Sequence, residues 1–157
     1  MNIKVVSNTS PLIFLSKIDA FELLAQCFED IAIPNAVITE LKALVPPDFI
    51  IRKNISELGN SYVKGALGNL HRGELEAIVL ALETKADLIL LDDLVARNKA
   101  TRSGLNVMGT VGVLKLANSK GLLTAKETSD YYDLLVNEHG LFLSYKILQQ
   151  LKSSLIN

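Results

Sequence analysis

The sequence lacks several features that define common classes of protein. Its 157 residues include one cysteine, Cys27, so no internal disulfide can form and a metal-binding thiolate cluster is not expected. Sixteen Lys and Arg residues stand against seventeen Asp and Glu residues. The net charge of −1 provides no global field that would draw the chain onto nucleic acid or anionic lipid. Any polyanionic partner must therefore be bound by a local patch.

Long apolar runs, repeats and low-complexity segments are also absent. No window approaches the roughly 20 apolar residues of a membrane-spanning helix. Gly (9) and Pro (4) are too few for a collagenous or disordered chain, and 49% of the residues are hydrophobic. We therefore expect a cytoplasmic protein with no membrane association that folds as one domain over residues 1–157. The last two helices, about 125–155, are expected to pack on that domain as a C-terminal extension.

Hydrophobic periodicity predicts that strands and helices alternate along the chain. Short apolar runs predict strands at 3–7, 30–33, 86–91 and 105–108. The predicted helices between them begin at N-cap residues, for which the candidates are Ser10, Asp19 and Thr110. Residues 48–70 carry weak patterns and are expected to form a variable excursion. Because parallel neighbours need crossover connections, the alternation predicts a doubly wound α/β fold with a mostly parallel sheet.

Polar residues follow two of the predicted strands. Asn8, Thr9 and Ser10 come after the first strand, and the pair Asp92 and Asp93 ends the long apolar run. Ligands of such sheets bind outside the carboxyl ends of the strands. Two like charges at that place repel each other unless solvent, hydrogen bonds or a cation intervenes. These residues are therefore the first candidates for a functional site.

Two further acids stand in helices that are predicted to adjoin the sheet. Glu40 lies in the string VITEL at 37–41, and Glu74 lies in GELEAI at 73–78. Each of these acids also has an ordinary interpretation: Glu40 as a solvated helix residue and Glu74 as a first-turn acid favoured by the helix dipole. Asp93 of the acidic pair can likewise be read as a helix cap. Taken singly, none of these acids indicates a functional site. Their order along the chain is what favours a shared site over the ordinary interpretations.

The ordered set of motifs resembles the PIN-domain ribonucleases. The strings are VSNTSPLI at 6–13, IP at 33–34 followed by VITEL at 37–41, GELEAI at 73–78, LLDD at 90–93 with Arg97 four residues on, and VMGTVGVL at 107–114. They are most similar to the compact prokaryotic branch related to the VapC toxins, and the resemblance covers nearly the whole chain. It implies a three-layer α/β/α fold around a central, mostly parallel sheet.

The resemblance also implies an activity, namely that of a Mg²⁺- or Mn²⁺-dependent endoribonuclease that is the toxin of a toxin–antitoxin pair. In that family, three or four acids at the carboxyl edge of the sheet bind the metal, and carboxylate oxygens suit hard divalent cations. Matched by motif, the acidic positions are Glu40, Glu74 and Asp93. Asp92 would be a ligand or support one, and the choice between Asp92 and Asp93 stays open. Ser10 would orient a ligand or the attacking water.

One residue departs from the family pattern. Asn8 stands where the general pattern has Asp, and an amide oxygen can coordinate Mg²⁺ without contributing charge. The affinity for metal should fall accordingly. An alternative interpretation is therefore a catalytically degenerate PIN scaffold that binds RNA or protein without cleavage. A phosphoryl-transfer receiver or phosphatase is disfavoured, because it would need a nucleophilic Asp at this position.

The expected partners are an RNA substrate, a small antitoxin protein that covers the acidic pocket, and a second copy of the chain in a homodimer. Arg97, Lys99 and Arg102 follow the acidic pair on a predicted helix and could contact RNA phosphates. A solvated basic helix face accounts for them equally well. His71 and His139 lie in polar contexts, and we assign them no role.

Overall fold

A parallel β-sheet forms the centre of the computed structural model, which describes residues 3–68 and 70–157. Across the sheet, the strand order is β3-β2-β1-β4-β5. The strands are β1 (Val5–Ser7), β2 (Ile31–Ile33), β3 (Ile50–Arg52), β4 (Leu88–Leu90) and β5 (Val107–Met108). All four pairings are parallel, and Val5 lies opposite both Ile31 and Leu88. The predicted doubly wound α/β fold is confirmed.

Helices connect the strands and cover both faces of the sheet. They are α1 (Thr9–Lys17), α2 (Glu22–Cys27), α3 (Asn35–Leu41), α4 (Glu57–Ala66), α5 (Arg72–Glu83), α6 (Leu94–Arg102), α7 (Thr110–Ser119), α8 (Ala125–Glu138) and α9 (Tyr145–Ser153). Within residues 3–68 and 70–157, no helix combines the length and the apolar character that crossing a membrane requires.

Successive strand residues enter two separate hydrophobic cores. Val5 and Leu90 pack with residues of α1, α2, α7 and α8. Their neighbours Val6 and Ile89 pack on the opposite face with residues of α5 and α6. Alternate side chains of a strand point to opposite faces, so a sheet buried on both faces needs apolar residues at every position. This arrangement confirms the predicted three layers.

Helix α5 is buried on nearly all its sides. Every residue from position 73 to position 81 is buried, which is typical of a helix inside a core rather than on a surface. Two of these residues are acids, Glu74 and Glu76, which are only 6% and 5% exposed. Buried carboxylates require hydrogen bonds or charged partners, so the residues around α5 must supply donors or positive charges to these two acids.

The excursion predicted at residues 48–70 contains the edge strand β3 and helix α4. Two of the three β3 residues are exposed, so β3 lacks the continuous buried run by which a strand of a parallel sheet is recognised in a sequence. The predicted caps also differ from the structure. Helix α1 begins at Thr9, with Ser10 inside it, and α7 begins at Thr110 after Gly109. Asp19 has a φ of 53° and precedes α2 without capping it.

Asn118 on α7 connects this helix to the C-terminal end of the chain. Its side chain is 4% exposed, and its Nδ2 donates to the carbonyl oxygens of Leu123 (3.0 Å) and Ile156 (2.7 Å). Its Oδ1 accepts from the N–H of Ile156 at 2.9 Å. Tyr132 of α8 is fully buried in the core that contains Val5 and Leu90. The assignment of residues 125–155 to a C-terminal extension stays a prediction.

Replacing Asn118 with Ala should loosen the C-terminal end, because three buried hydrogen bonds are lost together. We expect the free energy of unfolding to fall by about 2–4 kcal/mol, measured by urea denaturation. Asn137→Ala, at an exposed position of α8, is the control and should change it by less than about 0.5 kcal/mol. Equal stability of the two variants would contradict the claim that Asn118 holds the C-terminal end to α7.

Candidate functional site

The sequence candidates Asn8, Asp92 and Asp93 lie where the order of strands reverses. Strand β1 is at the centre of the sheet, and the chain first builds β2 and β3 on one side and then β4 and β5 on the other. Asn8 directly follows β1, and its N–H donates to the carbonyl oxygen of Leu90 in β4 at 3.0 Å. Such a switch point leaves a crevice between two strand ends, which is where α/β sheets bind ligands.

The side chain of Asn8 is buried without a hydrogen bond to its oxygen. Asn8 is 4% exposed, and its Oδ1 has no partner among the described residues. Asn8 precedes α1 at the N-cap position but makes no side-chain cap bond. A buried acceptor without a partner costs about 1–3 kcal/mol, so this oxygen would be stabilised by a donor or a cation.

Glu74 lies within electrostatic range of two other acids. Burial raises the pKa of the Glu74 carboxyl above its ordinary value, and the charges of Asp93 and Glu40 raise it further. A hydrogen bond from the N–H of His71 to Oε1, at 2.9 Å, opposes that rise, as does the charge of His71. The structure therefore places Glu40 and Asp93 close enough to Glu74 for their charges to raise the pKa of its carboxyl.

Glu40 is held by two other helices. Its Oε1 accepts from the hydroxyl of Thr9 in α1 at 2.6 Å, and its Oε2 accepts from the N–H of Gly73 in α5 at 2.9 Å. A Cβ atom at position 73 would collide with the Glu40 carboxylate, so glycine there lets the carboxylate reach the N–H of Gly73. The carboxylate is thus fixed in place rather than solvated at the end of a helix.

Glu76 makes the reciprocal contact between the same two helices. Its Oε1 accepts from the N–H of Ala36 in the first turn of α3 at 3.0 Å, and its Oε2 pairs with Nε of Arg72 at 2.9 Å. Each helix therefore has one of its free N-terminal N–H groups satisfied by an acid of the other, Gly73 by Glu40 and Ala36 by Glu76. This exchange sets the relative position of α3 and α5.

The two aspartates of the acidic pair have different surroundings. Asp92 Oδ1 accepts from the N–H of Thr110 at 2.7 Å, and its Oδ2 accepts from the hydroxyls of Thr110 at 2.7 Å and Ser10 at 3.2 Å. Asp93 is exposed, and its Oδ2 accepts from the N–H of Ala96 at 3.0 Å as the N-cap of α6. Ser10 thus contacts Asp92, whereas Asp93 interacts electrostatically with Glu74.

The three basic candidates on α6 do not share one environment. A Cβ atom at Gly109 would lie 2.8 Å from Nη1 of Arg97, so Arg97 reaches the loop next to the acidic pair. Nζ of Lys99 lies 5.8 Å from the centre of the Tyr62 ring, beside α4. Arg102 is exposed at the end of α6. Their role in binding RNA stays a prediction, and Arg97 is the one beside the acidic pair.

Sequence reasoning assigned no role to two residues that shape this site, His71 and Glu76. The sequence contained a signal for both of them. His71 stands three residues before Glu74, the spacing at which a first-turn acid accepts the N-cap N–H. Glu76 interrupts an otherwise apolar helix, which marks a buried acid with a partner. The position of Thr9 after the first strand made it a candidate, but its contact with Glu40 depends on the fold and had no signal in the sequence.

Among residues 3–68 and 70–157, no three His, Cys, Asp or Glu side chains form a ready metal-binding group. The carboxylates of Glu40 and Asp92 accept hydrogen bonds from protein donors. The chemistry of the donors nevertheless fits a hard divalent cation: Glu74 lies within electrostatic range of Asp93 and Glu40, and Asn8 offers a buried amide oxygen without a described partner at the end of β1. The residues that could hold it are Asn8, Glu40, Glu74 and Asp93.

Comparison with known proteins identifies the family. A family model described as a PIN domain matches residues 4–156, which is nearly the entire chain. The chain therefore belongs to the PIN-domain family, and the resemblance inferred from its motifs is confirmed. PIN domains are generally metal-dependent nucleases.

A solved structure supports the fold independently. The chain is similar to a PilT N-terminus domain protein from the hyperthermophilic archaeon Sulfolobus solfataricus P2, with 24% sequence identity and a TM-score of 0.53. The alignment covers 74% of this chain and 92% of the archaeal chain. A likeness at this identity supports the fold alone. A search of the curated proteins found no match.

The raised pKa of Glu74 predicts a pH-dependent effect of Glu74→Gln. A carboxyl whose pKa is higher in the folded chain destabilises the fold when it ionises, and this cost disappears below its unfolded pKa of about 4.3. The glutamine keeps an oxygen for the N–H of His71. In the presence of a chelator, Glu74→Gln should melt above wild type at neutral pH, and the difference should shrink below about pH 4.

Glu76→Gln is the matched control for this measurement. It removes the same charge two residues away but breaks the ion pair with Arg72, so it should not raise the melting temperature. A Glu74→Gln variant that melts below wild type at neutral pH would contradict the electrostatic account.

A second prediction tests the close approach at Gly73. Gly73→Ala should displace the Glu40 carboxylate and lower the free energy of unfolding by about 1–3 kcal/mol, measured by urea denaturation. The control is Gly65→Ala in α4, where a Cβ atom meets nothing within 4 Å. That change should stabilise the protein by about 0.5–1 kcal/mol through helix propensity. The same sign at both positions would disprove the steric argument.

Proposed function

We propose that this protein is a metal-dependent endoribonuclease that hydrolyses RNA phosphodiester bonds. The observation that carries the proposal is the carboxyl of Glu74, which is buried and lies within electrostatic range of Asp93 and Glu40. Burial and these two charges oppose the ionisation of Glu74, and a divalent ion would offset both effects. Membership of the PIN-domain family supports the same chemistry.

Asn8, Glu40, Glu74 and Asp93 would hold Mg²⁺ or Mn²⁺. When bound, such an ion activates water and stabilises negative charge on the phosphate under attack. Asp92 has a positioning role, since its oxygens fix the hydroxyl of Ser10 and the first turn of α7.

Two basic or polar groups would act on the RNA itself. Arg97, beside the loop at Gly109, would bind a phosphate adjacent to the scissile one. Ser10, held by its hydrogen bond to Asp92, would orient the attacking water. Both groups belong to segments that directly follow β1 or β4, so the sheet positions them together.

The biological role proposed is that of the toxin of a toxin–antitoxin pair in the cytoplasm. Its support is the similarity of the sequence motifs to the VapC-related branch. The small antitoxin would cover the acidic site, for which a segment bearing Lys or Arg is the complementary chemistry. We further propose that the chain acts as a homodimer, as that branch does.

Asn8 supports a second candidate, a degenerate PIN scaffold that binds RNA or protein without cleaving. Its neutral amide stands where the family pattern has Asp, and it is buried at the end of β1. A site with one carboxylate fewer binds a divalent ion more weakly. The two candidates differ in one measurable property, which is metal-dependent cleavage.

Cleavage of a mixed-sequence, single-stranded RNA in Mn²⁺ distinguishes these candidates. Wild type should cleave, Glu74→Gln should lose at least about 100-fold in rate, and Asn8→Asp should cleave faster because an anionic ligand replaces a neutral one of equal length. Glu138→Gln, at an exposed position on α8, is the control and should match wild type.

Each outcome assigns the protein to one candidate. Cleavage by Asn8→Asp alone would identify a degenerate enzyme. If wild type and Asn8→Asp both bind Mn²⁺ in calorimetry and neither cleaves RNA, the nuclease proposal is wrong and the scaffold stands.

A further inference from the structure

A polar cleft opens beside Glu40, at the ends of α3 and β3. Its volume is about 460 Å³, within the range of roughly 300–1,000 Å³ typical of small-molecule sites. It lies at the same edge of the sheet as the acidic group, and Glu40 belongs to its lining. The other residues relevant here are Asn35, Asn54, Asn60, Glu57 and Arg72.

The amide of Asn35 is oriented by an arginine. Its Oδ1 accepts from Nε of Arg52 at 2.6 Å. Because a guanidinium only donates, the oxygen of Asn35 must face Arg52, and the NH₂ group is the end left for another partner. The structure gives that NH₂ group no hydrogen bond to a described residue.

Asn60, on α4, repeats the arrangement. Its Oδ1 accepts from Nη2 of Arg72 at 3.0 Å, and Arg72 is itself fixed by its ion pair with Glu76. The NH₂ group of Asn60 likewise has no hydrogen bond to a described residue. Two amide donors with fixed orientation therefore line one cleft, and both are suited to acceptor atoms of a ligand.

Charge argues that the ligand is a neutral group rather than a phosphate. Glu40, Glu57 and Glu76 all line the cleft, whereas Arg72 is the one cation among its described lining residues and is paired with Glu76. A phosphate would meet net negative charge. An uncharged base with carbonyl acceptors and N–H donors would meet both the amide NH₂ groups and the carboxylate of Glu57.

We propose that this cleft selects a keto base, guanine or uracil, in the nucleotide next to the cleaved bond. This inference rests on the proposed ribonuclease function and adds its base preference. Guanine O6 and uracil O4 accept hydrogen bonds where adenine and cytosine carry donating amino groups. The oriented amides of Asn35 and Asn60 therefore favour the keto bases and oppose the amino bases.

Two isosteric variants test the selection. Asn60→Asp and Asn35→Asp keep the oxygen that faces each arginine and convert the free donor into an acceptor. Cleavage sites in a mixed-sequence RNA are mapped by sequencing, and binding of short adenosine oligomers with one central G, U or C is measured in the Glu74→Gln background. Wild type should favour G and U by about tenfold, and each variant should remove most of that preference.

The control is Asn137→Asp, which adds the same charge at an exposed position of α8 and should keep the preference. Cleavage without base preference, or a preference that survives in both cleft variants, overturns the inference and leaves the ribonuclease intact. Selective binding of G and U without cleavage by wild type overturns the ribonuclease alone. If wild type does not cleave RNA and does not bind G and U selectively, both the ribonuclease proposal and the base preference are wrong.

Discussion

The carboxylate of Glu40 is the interaction on which the rest of the site depends. It accepts the hydroxyl of Thr9 and the N–H of Gly73, and so joins α1, α3 and α5 at the carboxyl edge of the sheet. Glu76 returns the contact from α5 to the N–H of Ala36. With Glu40 engaged in these bonds, its carboxylate occupies the space that a Cβ atom at position 73 would need. Glu40 and Glu76 thus hold together the helices that carry the acids of the site.

The proximity of Asp93 and Glu40 to Glu74 has a thermodynamic consequence for the protein without metal. Glu74 is buried beside the charges of Asp93 and Glu40, which raises its pKa and makes its ionisation costly. The buried oxygen of Asn8, unpartnered within the described part of the chain, adds a second cost. A fold that retains both features gives up stability, and a divalent cation bound by these groups would recover it. Stability and the proposed chemistry are therefore linked through the same residues.

Much of this arrangement follows from the sequence, because apolar runs and polar strand ends are local signals. The periodicity predicted the parallel sheet, and the ordered motifs alone indicated the PIN-domain family. The edge strand β3 escaped notice, since two of its three residues are exposed. The partners of Glu40 and Asp92 were equally hidden, because Thr9 and Thr110 meet them only through the fold. The identity of the metal ligands stays a prediction.

Binding of a divalent cation by the acidic group at the carboxyl edge is the central claim. Crystals soaked in Mn²⁺ test it most directly, because anomalous scattering locates the ion without reference to activity. We expect a peak within about 2.5 Å of oxygens from Asn8, Glu40, Glu74 or Asp93. A peak elsewhere, or none at saturating Mn²⁺ with the site open to solvent, would contradict the claim.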